Sequence, residues 1–127
     1  MNVKKITAVL LAEEVEPCVK FWVERLGFEK TAEVPDGDKV AFAMLQKNGA
    51  EVMYQTYASV ENDPHAGPQA RKGPTFLYIE VDDLAQAMAA TAGAEVVMEE
   101  RTTFYGSREF GIKDPAGHFL TFAQFGA

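Results

Sequence analysis

The sequence is poor in the residues that build most disulfide, metal and redox sites. Its 127 residues include one cysteine, two histidines and one tryptophan. A lone Cys18 cannot form an internal disulfide, and it lies on a predicted amphipathic helix where a small apolar side chain fills a core. We therefore expect Cys18 to be buried and not to act as a nucleophile.

Positive charge is also scarce. The chain has 12 Lys and Arg against 19 Asp and Glu, which gives a formal charge of −7. Nucleic acids and anionic membranes are bound by clusters of basic residues, so neither is expected as a partner. No apolar run is long enough to span a bilayer and no signal peptide is recognisable, so the sequence predicts a cytoplasmic protein. Its length and its 47% hydrophobic content fit one domain.

A regular order of elements is present in the first half of the chain. Residues 4–12 are β-rich, and apolar residues at helical spacing then predict a helix that ends at Gly27. This helical stripe consists of Val15, Val19, Trp22 and Leu26. Strands are predicted for residues 28–34, 39–46 and 50–57, with turns at 35–38 and 47–49. The first half therefore has the order β-α-β-β-β.

The second half repeats this order. Residues 58–74 contain three prolines and two glycines, which is typical of a linker. A strand at 75–81, a helix at 82–93 and three further strands follow. Three landmark pairs lie 69, 66 and 68 residues apart and indicate an internal repeat: Val15 with Leu84, Gly27 with Gly93, and Gly49 with Gly117. The predicted organisation is module one at 1–57, a linker at 58–74 and module two at 75–127.

Two motifs of the second half carry a family resemblance. They are YIEVDDL at residues 78–84 and FYGSREFGIKDPAGHFLTFAQ at residues 104–124. With the repeat, they resemble the vicinal-oxygen-chelate superfamily of glyoxalases, extradiol dioxygenases and fosfomycin- and bleomycin-resistance proteins. The last motif is most similar to the bleomycin-resistance type. The resemblance implies an α+β fold with two βαβββ modules, whose curved mixed sheets surround a cleft, and a homodimer.

The resemblance also implies where a metal would bind. Enzymes of this family place His and Glu ligands on the first and fourth strands of both modules. The matching positions here are Thr7, Met53, Phe76 and Thr121. None suits a divalent cation, because the Met thioether is a soft donor and Phe has none. Glu51 is the one candidate ligand, if the register of its strand differs by two residues. We therefore predict no metal and no cofactor.

Strand alternation assigns further side chains to the predicted cleft. The last predicted strand of each module directs Val52, Tyr54, Leu120 and Phe122 to the helix. The opposite face then contributes apolar area with a few polar groups, as a small-molecule pocket requires. In the loop after the sixth strand, Tyr105 and Arg108 could stack a planar ring and hold a carboxylate. A local Arg–Glu pair that stabilises the hairpin tip is the alternative. The predicted ligand-binding residues are Thr7, Met53, Gln55, Phe76, Tyr78, Glu80, Tyr105, Arg108 and Thr121.

These residues favour a metal-free protein that binds a planar or cationic small molecule, similar to the antibiotic-sequestering bleomycin-resistance proteins. A metal-dependent lyase, isomerase or dioxygenase of the same superfamily is the alternative, so the sequence leaves enzymatic activity open. A third possibility is a structural module whose clefts are filled by Phe76 and Met53.

Overall fold

The computed structural model describes residues 1–126 and divides the chain into two units, which meet in sequence at Lys72 and Gly73. Each unit contains a four-stranded mixed sheet with the order β-α-β-β-β. The predicted α+β fold with two such modules is confirmed. Within residues 1–126 no helix has both the length and the apolar character needed to cross a membrane.

The first unit is a sheet in the order β1-β4-β3-β2, in which β1 and β4 run parallel and the other pairs antiparallel. A two-residue turn joins β3 to β4, and both Asn48 and Gly49 have positive φ, as an Asn-Gly hairpin requires. The elements are β1 (Ala8–Ala12), α1 (Glu16–Glu24), β2 (Glu29–Asp36), β3 (Lys39–Lys47), β4 (Ala50–Thr56) and α2 (Tyr57–Glu61).

Helix α1 packs on the sheet through Val15, Cys18 and Trp22, which are buried, whereas Val19 and Leu26 of the predicted stripe are only partly buried. The expected burial of Cys18 is confirmed. The Trp22 indole Nε1 donates to the Tyr54 hydroxyl at 2.7 Å, and this bond satisfies two polar groups inside the core. After the helix, Gly27 has a φ of 73°, which is the left-handed conformation predicted at this position.

The segment predicted as a linker contains more structure than its Pro and Gly content suggested. It holds most of the short helix α2 and a 3-10 turn at Gly67–Gln69. The Thr56 hydroxyl caps α2 by accepting the Ser59 amide at 3.1 Å, and Val60 is buried. A helix of one turn has no periodicity to detect, so the sequence pattern missed it.

The second unit repeats the arrangement in the order β5-β8-β7-β6, with β5 and β8 parallel. Asp83 accepts the Gln86 amide at 3.1 Å and caps the start of the helix. The elements are β5 (Phe76–Glu80), α3 (Leu84–Ala90), β6 (Val96–Thr102), β7 (Ser107–Lys113) and β8 (Phe119–Phe125).

Each sheet has one face covered by its helix and an opposite one, which we call the helix-free face. Strand β4 buries Val52 and Tyr54, and β8 buries Leu120 and Phe122, as alternation predicted. The intervening side chains of both strands therefore belong to the helix-free faces.

Candidate functional site

Most predicted ligand-binding residues lie on the helix-free face of their own unit. In the first unit these are Met53 and Gln55 of β4, with Thr7 just before β1. In the second unit Phe76, Tyr78 and Glu80 of β5 share a face with Thr121 of β8.

Glu51, the candidate metal ligand, is held by three donors of its own unit. Its carboxylate accepts the Thr7 hydroxyl at 2.7 Å and the Lys5 ammonium at 2.9 Å, and also the Gln46 amide. The hydrogen bonds from Thr7, Gln46 and Lys5 lower the pKa of Glu51 to about 2. Its side chain is 5% exposed. A metal ion would have to displace a lysine that already neutralises this carboxylate.

Strand pairing indicates which residue of β4 matches Thr121 of β8. Strand β1 places Val9 beside Met53, and β5 places Tyr78 beside Thr121. Met53 and Thr121 also follow their turn glycines by the same number of residues. Glu51 lies two residues before Met53 on the same face of β4. The register therefore favours Met53 as the counterpart of Thr121.

The side chains at the family's ligand positions do not fit a divalent metal. Thr7 and Thr121 offer hydroxyls, Met53 a thioether, and Phe76 no donor. Over residues 1–126 no group of three or more His, Cys, Asp and Glu side chains is arranged to hold a metal ion. No chemical step through a metal follows from these residues.

His118 has a structural position in the last hairpin. It is 2% exposed, and its Nδ1 accepts the Thr75 amide at 2.8 Å. Asp114 accepts the amides of Ala116 and His118 and shapes the turn between β7 and β8. The imidazole thus ties the start of β5 to the start of β8.

A buried carboxylate that the sequence analysis did not identify lies at the centre of the second unit's helix-free face. Glu109 of β7 is 1% exposed. Its Oε2 accepts the hydroxyls of Ser107 at 2.8 Å, Tyr105 at 2.6 Å, and Tyr78. Its Oε1 lies 3.3 Å from Nη2 of Arg101. Four side chains, from β5, β6, β7 and the turn between β6 and β7, therefore converge on one acid.

The protonation states of this cluster follow from its hydrogen bonds. Burial alone would raise the pKa of Glu109, but the hydrogen bonds from Tyr105, Tyr78, Ser107 and Arg101 outweigh it and lower the pKa to about 2. The same bond to Glu109, aided by burial, raises the pKa of Tyr78 to about 12. Glu109 is therefore an anion and Tyr78 a neutral phenol over a wide range of pH.

Two tyrosine rings lie over this carboxylate's hydrogen bonds, and two phenylalanine rings lie beside one of them. Tyr78 and Tyr105 are about half exposed and Phe104 is fully exposed. The Tyr105 ring centroid lies 5.1 Å from that of Phe104 and 6.3 Å from that of Phe125. The surface can present ring faces to a ligand, while the hydroxyls of Tyr78 and Tyr105 are already engaged with Glu109.

A second aromatic pair lies further along the same face. The Phe76 and Phe119 ring centroids are 5.4 Å apart in an edge arrangement. The Phe119 ring covers Gly111, where an added Cβ would approach it to 2.7 Å. The missing side chain of Gly111 therefore leaves the space that this ring occupies.

Arg108 is directed away from this surface. It shares the helix side of β7 with Phe110, because alternation assigns the helix-free face to Glu109. Its guanidinium donates to Gln124 Oε1 and pairs with Glu100, both at 3.2 Å. The structure thus brings Tyr105, but not Arg108, together with Tyr78, and it matches the alternative of a local Arg–Glu pair.

A groove of about 600 Å³ lies on the helix side of the first unit. Its apolar lining includes Val19, Val23 and Phe28, and exposed charged residues flank it. It contains none of the predicted ligand-binding residues, so the helix-free faces remain the candidate site.

Comparisons with known proteins identify a family through its sequence model and a fold through solved structures. A model of the Glyoxalase/Bleomycin resistance protein/Dioxygenase superfamily matches residues 6–122. TioX from Micromonospora sp. ML1 is similar in structure, with a TM-score of 0.77 at 20% identity, over 97% of this chain and 99% of that one. Lactoylglutathione lyase from Agrobacterium tumefaciens has a TM-score of 0.76 at 16% identity, over 98% and 96%. These identities show a shared fold. The search of curated proteins found no significant match.

Proposed function

Because the chain belongs to the Glyoxalase/Bleomycin resistance protein/Dioxygenase superfamily, we propose that it binds a small molecule without the help of a metal. The observation that carries the proposal is the aromatic surface around Glu109 in the second unit. There Tyr78 and Tyr105 are fixed by hydrogen bonds to Glu109 while their rings stay about half exposed. Rings held in place before binding lose little entropy when a ligand stacks on them.

The titratable groups of this surface favour binding over acid–base catalysis. A general acid or base works best with a pKa near the working pH. Glu109 has a pKa of about 2 and Tyr78 of about 12, so near neutrality the first is a weak base and the second a weak acid. Both shifts stabilise the resting protonation states and leave little tendency to move a proton.

We also propose that the protein acts as a homodimer, as the family resemblance implies, and that it works in the cytoplasm. The test of assembly is light scattering on the purified full chain at micromolar concentration. A mass near 28 kDa, twice the 14.0 kDa of one chain, is expected. A single-chain mass at every concentration would contradict the dimer.

A metal-dependent lyase of the same superfamily is the second candidate. The observation in its favour is the structural similarity to the Agrobacterium tumefaciens lactoylglutathione lyase. This candidate requires ligands at positions where the present chain has Thr7, Met53, Phe76 and Thr121. Stoichiometric metal in protein purified without a chelator, lost in Glu51→Ala, would establish it in place of the binder.

A thermal-shift screen tests the binding proposal directly. Planar aromatic and cationic compounds are added to the full chain, and a ligand at 100 times its Kd should stabilise it by about 2.7 kcal/mol. Tyr78→Ala should abolish the shift, and Tyr57→Ala in the first unit should keep it. If no compound shifts the melting temperature, or if Tyr78→Ala responds like the unchanged protein, the proposed site is wrong.

A further inference from the structure

The hydroxyls of two tyrosines meet at a single carboxylate oxygen. Tyr105 lies 2.6 Å from Glu109 Oε2, and Tyr78 donates to the same atom. Tyr78 comes from β5 and Tyr105 from the turn between β6 and β7, so the shared acceptor brings together two rings that are distant in sequence. Both rings keep about half of their surface exposed. The anion below them is buried and cannot itself be reached from solvent.

This arrangement changes the electronic character of the rings. A phenol that donates a hydrogen bond to an anion gains electron density on its oxygen, and the oxygen passes part of it to the ring. The negative potential over the ring face is what attracts a cation. Two tyrosines that share one carboxylate acceptor should therefore attract cations more strongly than free tyrosines do.

We propose that Tyr78 and Tyr105, anchored on Glu109, form a subsite for the positively charged end of an organic ligand. This inference rests on the proposed binding function and narrows its ligand class to cations with an aromatic or quaternary-ammonium group. Phe104 and Phe125 extend the surface beside Tyr105 and provide apolar area for the rest of such a ligand.

The charged groups on the same face determine how strongly the subsite prefers a cationic ligand over a neutral one. Glu80, two residues after Tyr78 on β5, is exposed and adds negative charge. Arg101 weakens the binding of a cation, because its positively charged guanidinium lies 3.3 Å from Glu109 Oε1 and repels a second positive charge there. The Arg101 side chain is 56% exposed, so its own charge stays solvated if it moves aside, and the buried Glu109 then keeps its three hydroxyl donors. Lys113 shares the face but lies at the other end of β7, 3.7 Å from Glu95.

The test compares two probes of similar shape and different charge. The 1-methylquinolinium ion is a permanent cation, and quinoline is neutral at pH 7.5. Binding to the full chain is measured by amide chemical-shift titration, which also reports whether the affected residues surround Tyr78. We expect the cation to bind roughly five-fold more tightly than quinoline, as one cation–π contact implies.

Two variants separate the cation subsite from general stacking. Glu109→Gln should remove most of the preference for the cation while quinoline still binds. Arg101→Met should strengthen binding of the cation about three-fold by removing a repulsive positive charge. Arg101 is on the surface, so this variant tests the proposal even if Glu109→Gln folds poorly. Tyr57→Phe in the first unit is the control and should change neither affinity.

The outcomes distinguish this inference from the function it rests on. If quinoline binds as tightly as the cation, or if Arg101→Met weakens the cation, the cation subsite is wrong while small-molecule binding stands. If neither probe binds and the thermal-shift screen is also negative, both fail.

Discussion

The two sheets of this protein have the same strand order, yet matching positions on their helix-free faces carry different chemistry. Next to the first strand of unit one, Thr7 donates to Glu51 at 2.7 Å. At the corresponding place in unit two, Phe76 packs edge-on against Phe119 with ring centroids 5.4 Å apart. A polar pair in one sheet is thus replaced by an aromatic pair in the other.

Two residues further along these strands the polarity is reversed, with apolar side chains in unit one and polar ones in unit two. Unit one places Val9 beside Met53, and unit two places Tyr78 beside Thr121, close to the buried Glu109. The helix sides show no such inversion at the matching positions of the fourth strands, where Val52 and Tyr54 in unit one and Leu120 and Phe122 in unit two are all buried. Packing under the helix constrains one face of each sheet, and the other face is free to diverge in chemistry. That divergence is where we place the function.

The largest expected effect comes from removing the acid at the centre of unit two. Glu109→Ala leaves the hydroxyls of Ser107, Tyr78 and Tyr105 without their acceptor, and we expect a loss of about 3 kcal/mol in the free energy of unfolding. Urea denaturation of the full chain measures it. Glu100→Ala removes an exposed acid from the neighbouring strand and is the control. Equal stability of both variants would show that the cluster contributes nothing.

The aromatic pair of unit two is tested by adding one methyl group beneath it. Gly111→Ala would place a Cβ 2.7 Å from the Phe119 ring, and overpacking of this kind costs about 2 kcal/mol. The matching position in unit one is Met44, which pairs with Met53 as Gly111 pairs with Thr121. A side chain is therefore tolerated there, and Met44→Ala should cost less. A stable Gly111→Ala variant would mean that Phe119 moves aside freely.

Titration of the tyrosines at high pH provides a second comparison of the two units. The pKa of Tyr78 is raised to about 12, so its contribution to stability is complete below pH 10 and is lost as pH rises through 12. Ultraviolet absorbance at alkaline pH should show a late-titrating phenol that Glu109→Gln returns toward pH 10. Glu51→Gln in the other unit should leave it unchanged. If the phenol titrated at lower pH in both variants, the hydrogen bond to Glu109 would not be the cause of its raised pKa.

The smallest effect is expected from the polar pair of unit one. The pKa of Glu51 is lowered to about 2, so its stabilising contribution is present above about pH 4.5 and is lost as pH falls toward 2. Its ionic partner Lys5 is 62% exposed and solvent screens the pair. The urea midpoint of the unchanged protein should be lower at pH 3 than at pH 7. Glu51→Gln should therefore make this drop only slightly smaller. If Glu51→Gln reduced this drop more than Glu109→Gln does, the carboxylate of unit one would contribute more to stability than that of unit two, which contradicts the expected order.

The fold was predictable because it depends on periodic signals. Apolar spacing marked Val15 and Trp22 as the buried side of α1, and the Asn-Gly pair at Asn48 marked a tight hairpin. Alternation in β8 correctly assigned Leu120 to the helix side. Helix α2 was missed because five residues are too few to show a period.

The candidate site was only partly predictable, because its central residue depends on contacts between distant segments. Glu109 follows Arg108 in a strand whose faces the sequence analysis left unassigned. The alternation of Phe110 and Ile112 was a usable signal, since both are buried under the helix and direct Glu109 to the other side. No local pattern indicates that Tyr78, on a different strand, donates to this acid.

The convergence of three hydroxyls on one oxygen of Glu109 has a genetic consequence. Losing a single hydroxyl, as in Tyr105→Phe or Ser107→Ala, leaves the carboxylate with its remaining donors. Such changes should be nearly silent alone and harmful in combination, which is epistasis between positions rather than a sum of separate effects. Lineages could then replace these donors one at a time, while a replacement of Glu109 itself would have to be accompanied by others.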